Sequence, residues 1–138
     1  MAVAAITPRV RTIVICDGVS ASLTEQGVFT LEGVRQRLQA PFFPWPAELS
    51  VFLLLSSARK GQYAGKILVV NERTERLVRY VKFTVAFHEA NELLPMYVEI
   101  SDCMFPEAGP YSFAIYFSTR GEEALKGEHP FNLFSTEE

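Results

Sequence analysis

The sequence predicts an all-β chain: a single antiparallel β-sandwich, Greek-key or immunoglobulin-like, with about eight strands and at most one or two short helical turns. Three observations predict it. Turn signals recur about every ten residues along the chain, the spacing expected of sandwiches and barrels. The 11 Phe and 5 Tyr weight the intervening segments toward strands, because aromatics suit a half-buried pleated surface. No helical pattern repeats, and so many strands without helices must form two packed sheets or a closed barrel.

The elements follow in order. Residues 1–10 read as a flexible N-terminus, 11–134 as the sandwich and 135–138 as a flexible C-terminus, since chain ends fray unless tied down. The first strand, "RTIVIC" from Arg11 to Cys16, ends at Asp17-Gly18. "SASLTEQ" reads as a single turn. "GVFTLEGVRQRL", Gly27 to Leu38, reads as the second strand, although Leu31, Val34 and Leu38 also fall at helical intervals, so 28–38 is strand or partly helix. "LSVFLLLSS" (Leu49 to Ser57) ends at "ARKG", and "YAGKILVVN" (Tyr63 to Asn71) ends at the charged tip "ERTER". In "LVRYVKFTVAF", Leu77, Arg79, Val81, Phe83, Val85 and Phe87 share one face, mostly core, and the intervening residues share the other.

"MYVEIS" alternates Met96, Val98 and Ile100 against Tyr97 and Glu99. "YSFAIYF" sets Tyr111, Phe113, Ile115 and Phe117 on one side, and Arg120-Gly121 allows a last hairpin partner running into "HPFNLF". "GEEALKGE" is a second place for one helical turn. In "AGPYSF", Gly109 and Pro110 supply a bend, and Tyr111 sits two residues before inward-facing Phe113. That spacing suits a tyrosine corner, in which the hydroxyl bonds back to the backbone upstream.

With these elements in place, the chain resembles an uncharacterised bacterial family of small β domains known only as a domain of unknown function. The resemblance lies in "ICDGV", "GVFTLEGV", "PFFP" leading to "LSVFLLL", and "FPEAGPYSF", and spans about residues 11 to 134. It implies a cytoplasmic bacterial β-sandwich with no assigned activity and no catalytic residues, and it tips "GVFTLEGV" toward strand. Trp45 departs from the family pattern and leaves the role of its proline-rich segment open.

Several chemistries lack the residues they need. Without C-x-x-C or H-x-x-x-H, and with only His88 and His129, zinc has no ligand pairs. The only aspartates are Asp17 and Asp102, too few for a calcium loop. No phosphate-binding glycine motif occurs, so no cofactor is expected. A hydrolase-type pairing of Cys16 or Ser101 with His88 is conceivable, but nothing in the spacing selects it, and Cys16 closes an apolar strand where a buried thiol is the default. Cys16 and Cys103 are expected as buried thiols of a reducing compartment. Glu89 and Glu92 share a polar loop without the fixed separation that glycosidase carboxylates require.

The net charge of -3 argues against nucleic acid as a partner, and no apolar run reaches the ~20 residues of a membrane-spanning helix. The N-terminus lacks a signal-peptide pattern, so the expected location is cytoplasmic. Arg73, Arg76, Arg79 and Lys82 form the densest positive run, interleaved with Glu72 and Glu75, and read as a hairpin tip with local ion pairs.

"PFFPWPAEL" carries two phenylalanines, the single tryptophan and three prolines. Prolines 41, 44 and 46 remove backbone donors, so the segment reads as an edge, crossover or loop. It is expected to tuck Phe42 or Phe43 under the sandwich and leave the other, with Trp45, outside. The functional expectation is therefore a non-enzymatic protein-interaction or accessory domain whose partner is a protein, including a second copy of itself as a homodimer. The alternative is a carbohydrate or small-molecule module in which Phe42, Phe43 and Trp45 stack on the ligand.

Overall fold

The computed structural model describes residues 6–136. Ten strands run in chain order: β1 (Pro8–Cys16), β2 (Gly18–Ala21), β3 (Phe29–Glu32), β4 (Leu38–Ala40), β5 (Trp45–Ser57), β6 (Gly61–Asn71), β7 (Leu77–Phe87), β8 (Leu93–Phe105), β9 (Gly109–Thr119) and β10 (Glu122–Ser135). A three-stranded sheet of order β1-β5-β8 faces a five-stranded sheet of order β4-β10-β9-β6-β7, and a small β2-β3 hairpin stands apart. Every pairing is antiparallel except β4 with β10. The fold is thus an all-β, sandwich-like arrangement, and none of the described residues is helical. Among the described residues no helix is long and apolar enough to cross a membrane.

The flexible ends expected at 1–10 and 135–138 lie in part outside the described residues. Of those described, Pro8 to Val10 already pair with Leu55 to Ser57 in β1, and the Thr136 amide donates to the Ala40 carbonyl.

The alternation seen in the sequence builds the core. Val51, Leu53 and Leu55 from β5, Ile67 and Val69 from β6, and Phe113, Ile115 and Phe117 from β9 have no solvent exposure. Each such side chain contributes roughly 1.5–3 kcal/mol relative to an exposed one. The two sheets also meet along their long edges. The Arg79 guanidinium on β7 donates to the Ser101 carbonyl on β8 at 3.1 Å, and a side chain at Gly127 on β10 would press on Val10 and Ile13 of β1.

Four local features depart from the expected elements. The run Gly27 to Leu38 is neither one strand nor helix: it breaks into β3, a bend and β4. Gly33 has φ 64°, and the Asp17 carboxyl fills the space a β-carbon would need there. Asp17 then grips Arg35 through two charge-assisted bonds of 2.6 and 2.9 Å, so the chain turns away. The resulting β2-β3 hairpin lies on the outside of the three-stranded sheet, where Phe29 meets Phe52 with ring centroids 5.6 Å apart.

"GEEALKGE" is strand rather than a helical turn. Arg120 and Gly121 both have positive φ, the geometry of a tight hairpin, and Glu122 pairs at once with Thr119. Two bulges also alter side-chain directions, one of which sets Ser101 and Asp102 of β8 against the single residue Glu48 of β5, between the Ala47-Cys103 and Leu49-Ile100 pairs. Between Val69 and Val70 the partner changes from Arg79 to Leu77, so Val78 is an extra residue that packs against the core and Leu77 turns outward, 51% exposed. A bulge of this kind reverses the alternation beyond it.

Finally, Trp45 and Pro46 open β5, the middle strand of its sheet. A proline is tolerated there because β1 pairs with β5 only from Ser50 onward, which leaves Trp45 to Leu49 paired on one side, with β8.

Candidate functional site

Three segments distant in sequence meet at one end of the sandwich: the β6-β7 turn, the β8-β9 turn and the approach to β5. Asn71, almost fully buried at the end of β6, organises the first. Its Oδ1 accepts bonds from the amides of Arg73 (2.9 Å) and Thr74 (3.2 Å), and its carbonyl accepts from the Glu75 amide at 2.7 Å. The asparagine side chain thus substitutes for backbone in closing the turn.

The first turn is bound to the second. Arg73 Nη1 donates to Glu107 Oε2 at 3.0 Å and Nη2 to the Ala108 carbonyl at 3.1 Å. The Glu72 amide donates to the Pro110 carbonyl at 3.0 Å. Gly109, with φ 143°, leaves room for the Arg73 guanidinium, which a β-carbon would strike. Tyr111 is fully buried and its hydroxyl donates to the Glu107 carbonyl, four residues upstream, at 2.6 Å. Burial raises the Tyr111 hydroxyl above the ordinary tyrosine range. Trp45 stacks on Phe105 at 6.1 Å, and Phe105 meets Tyr111 edge-on at 4.9 Å, so the approach to β5 joins the same structure.

Between these walls lies an open groove of about 610 Å3, lined by Pro44, Leu77, Val78, Met104 and Pro106 on its apolar parts and by Asn71, Thr74, Arg76 and Glu107 on its polar parts. Its volume lies in the range of ligand clefts. Met104 is 45% exposed, and Arg76 has no carboxylate partner among the described residues. Among the described lining residues there is no histidine, cysteine or serine. The groove offers shape, apolar contact and one cation.

The residues singled out in the sequence fall in several places. Phe42 is 57% exposed, whereas Phe43 and Trp45 are half-buried and pack against the core. The three rings do not form one platform, and Trp45 is not left outside, because Phe105 offers it a stacking partner. Only Pro44 of that segment lines the groove. Arg73 finds its carboxylate at Glu107 in the other turn, not at Glu72 or Glu75.

Cys16 and His88 are not brought together. Cys16 pairs with Ser50 on β5 and its thiol points to the Ser50 carbonyl at 3.6 Å. The loop holding His88 is tied to Ser57 through the Asn91 amide, seven residues along β5, or about 23 Å in a strand. Ser101 lies beyond Ile100, which pairs with Leu49, also near the Cys16 end. In that loop Glu92 accepts the amides of His88 and Glu89 at 2.7 and 3.2 Å, so it caps the turn. Both cysteines are free and fully buried. Burial raises the Cys16 thiol and pushes Cys103 up to about 12. Among the described residues no three His, Cys, Asp or Glu side chains cluster as metal ligands.

Sequence reasoning took Arg76 for part of an ion-paired hairpin tip and Leu77 for core, and it missed Met104 and Pro106. Their only signal was that "ERTER" and "FPEAG" are both turns, which does not say that the turns adjoin. The chain belongs to a family of unknown function, DUF6941, which residues 11–130 match. No curated protein matches it.

Proposed function

We propose that this member of the family is a non-enzymatic interaction module that holds an extended segment of a partner protein in the groove at the Pro44 and Met104 end. The observation that carries the reading is a groove whose walls are tied by Arg73, Glu107 and Tyr111 while its apolar side chains stay half-exposed beside an unpaired Arg76. Walls already ordered before binding reduce its entropic cost. The matching segment carries apolar side chains for Met104, Pro44 and Leu77 and a carboxylate for Arg76.

The strand order supports an immunoglobulin-like form of this module. β1, β5 and β8 take the places of strands A, B and E, and β7, β6, β9 and β10 those of C′, C, F and G. That comparison is an analogy of architecture, and the function rests on the groove. The same proposal places the protein in the bacterial cytoplasm, where two free, buried thiols suit a reducing compartment.

The test is a photo-crosslinking amino acid placed in living cells at Met104 and, as a control at the opposite end, at Leu93. A discrete adduct at 104, absent at 93 and lost on Arg76→Glu, supports the groove. No adduct at 104, or the same adducts at both positions, refutes it. The alternative of a carbohydrate or small-molecule module draws support only from the exposure of Phe42, since Phe43 and Trp45 already pack on the chain itself. The single tryptophan reports on it: a fluorescence response to a glycan panel supports that alternative, and none rejects it. A hydrolase around Cys16 and His88 draws no support from residues at opposite ends of the sandwich.

A further inference from the structure

The five-stranded sheet has a second face, turned away from the core, that the described strands outside it leave open: β1, β5 and β8 lie on its inner side, and the β2-β3 hairpin lies beyond β5. The pairing registers set out its rows. One row runs Leu125, Tyr116, Lys66, Lys82 from β10 to β7, and the next runs Glu128, Ala114, Leu68, Tyr80. A third holds Pro130, Ser112, Val70 and the Leu77 that the bulge turns outward. The middle of this face is low, with the small Ser112 and Ala114 buried between their larger neighbours, while Tyr80 and Leu125 stand half-exposed at its sides.

Its charges are asymmetric. Lys66 and Lys82 are directly opposed across β6 and β7, an unfavourable like-charge pair. Lys66 is relieved by Glu123 at 2.8 Å. Lys82 on the β7 flank has no carboxylate partner among the described residues, and Glu128 on the β10 flank has no basic one. Two unpaired charges of opposite sign therefore stand on opposite flanks of this low strip.

We propose that this face binds a second copy of the chain, as a homodimer whose two-fold axis lies in the interface and runs parallel to the strands. That operation sets β7 of each copy over β10 of the other, so both Lys82-Glu128 encounters form at once, as an isologous interface requires. The two residues stand one row apart, about 7 Å along the strand, a distance covered by a lysine side chain and by the roughly 30° rotation at which aligned sheets pack. An axis across the strands instead sets β7 on β7 and β10 on β10, so that each flank meets its own charge. Four strands by three to four rows project to roughly 300–400 Å2 per copy, below the ~800 Å2 of a standard interface. The proposed dimer therefore falls in the weak, transient class of interfaces.

Sedimentation equilibrium from about 1 to about 300 micromolar tests the proposal, bracketing the affinity that so small an interface allows. The wild type is expected to approach twice the chain mass with a midpoint in the tens of micromolar. Lys82→Glu and Glu128→Lys are each expected to weaken association about fivefold to tenfold, since two attractive contacts become repulsive, and the double variant Lys82→Glu/Glu128→Lys is expected to restore it. Both sites are exposed, and an unchanged thermal midpoint checks that the variants fold. A monomer at every concentration overturns the proposal. So does a dimer indifferent to the single reversals, which places contact elsewhere, such as the Leu93 and Tyr97 face. Single reversals not rescued by the double overturn the axis. None of these variants touches the groove, so the dimer can fail while the crosslink at Met104 stands, and the reverse.

Discussion

Tyr111→Phe isolates one bond at the base of the candidate site. The substitution keeps the ring and its contacts with Phe105 and Phe131, at centroid distances of 4.9 and 5.7 Å, and deletes only the hydroxyl that donates to the Glu107 carbonyl at 2.6 Å. A buried acceptor left without its donor costs about 1–3 kcal/mol. Glu107 is only half-buried, so water can partly replace the lost donor and the expected loss is about 1–2 kcal/mol. For a domain of this length that is roughly 3–10 °C in thermal midpoint. Urea unfolding gives the free energy directly, with Tyr116→Phe as a control, because that ring faces outward over Lys66. The tyrosine also carries a pH signature. Its folded pKa is raised above the ordinary 10.0, so the unfolded chain loses its proton first as pH rises, and wild-type stability falls from about pH 10 upward. Tyr111→Phe removes that component of the alkaline loss. A midpoint in urea equal to wild type, with unchanged slope, refutes the claim that this hydroxyl fixes the corner.

Other outcomes follow from the same structure. His129 lies on β10 in the seam against Val10 to Ile13, and burial lowers its pKa below the ordinary 6.5; the unfolded state therefore binds its proton first, wild-type stability falls as pH drops through 6.5, and His129→Gln flattens that fall in urea titrations between about pH 7 and pH 5. Gly109→Ala forces a side chain into positive φ and against the Arg73 guanidinium, with an expected loss of about 1–2 kcal/mol by thermal unfolding. Cys16 and Cys103, fully buried with raised pKa values, should resist a thiol reagent at neutral pH in the folded protein and label fully in denaturant, as read by mass spectrometry.

Much of the fold was legible because strand alternation reports burial directly. In β9, Tyr111, Phe113, Ile115 and Phe117 are all fully buried, as their spacing implies. The errors have a common origin in contacts between residues far apart in the chain. Nothing within "GVFTLEGV" reveals that the Asp17 carboxyl fills the space beside Gly33, so a broken strand read as a continuous one. Period alone placed Leu77 with the core, and only the pairing of Val69 and Val70 with β7 identifies Val78 as the extra residue. Bulges are properties of two strands, and a single strand's pattern does not contain them.

The aromatic segment shows the same limit from the functional side. Its composition advertised a binding platform, yet an aromatic ring is also the cheapest large surface with which to close a core, and Phe105 lay waiting for Trp45 sixty residues further on. Rings that bury against their own chain are no longer offered to a ligand, whereas Met104 and Leu77 are offered because turns and a bulge displace them from the core pattern. A function search in a β-sandwich is therefore better aimed at places where alternation fails than at places where hydrophobicity peaks. In this chain the failures at Val78, at Ser101-Asp102 and at the β5 approach all lie toward one end, the end where the groove opens.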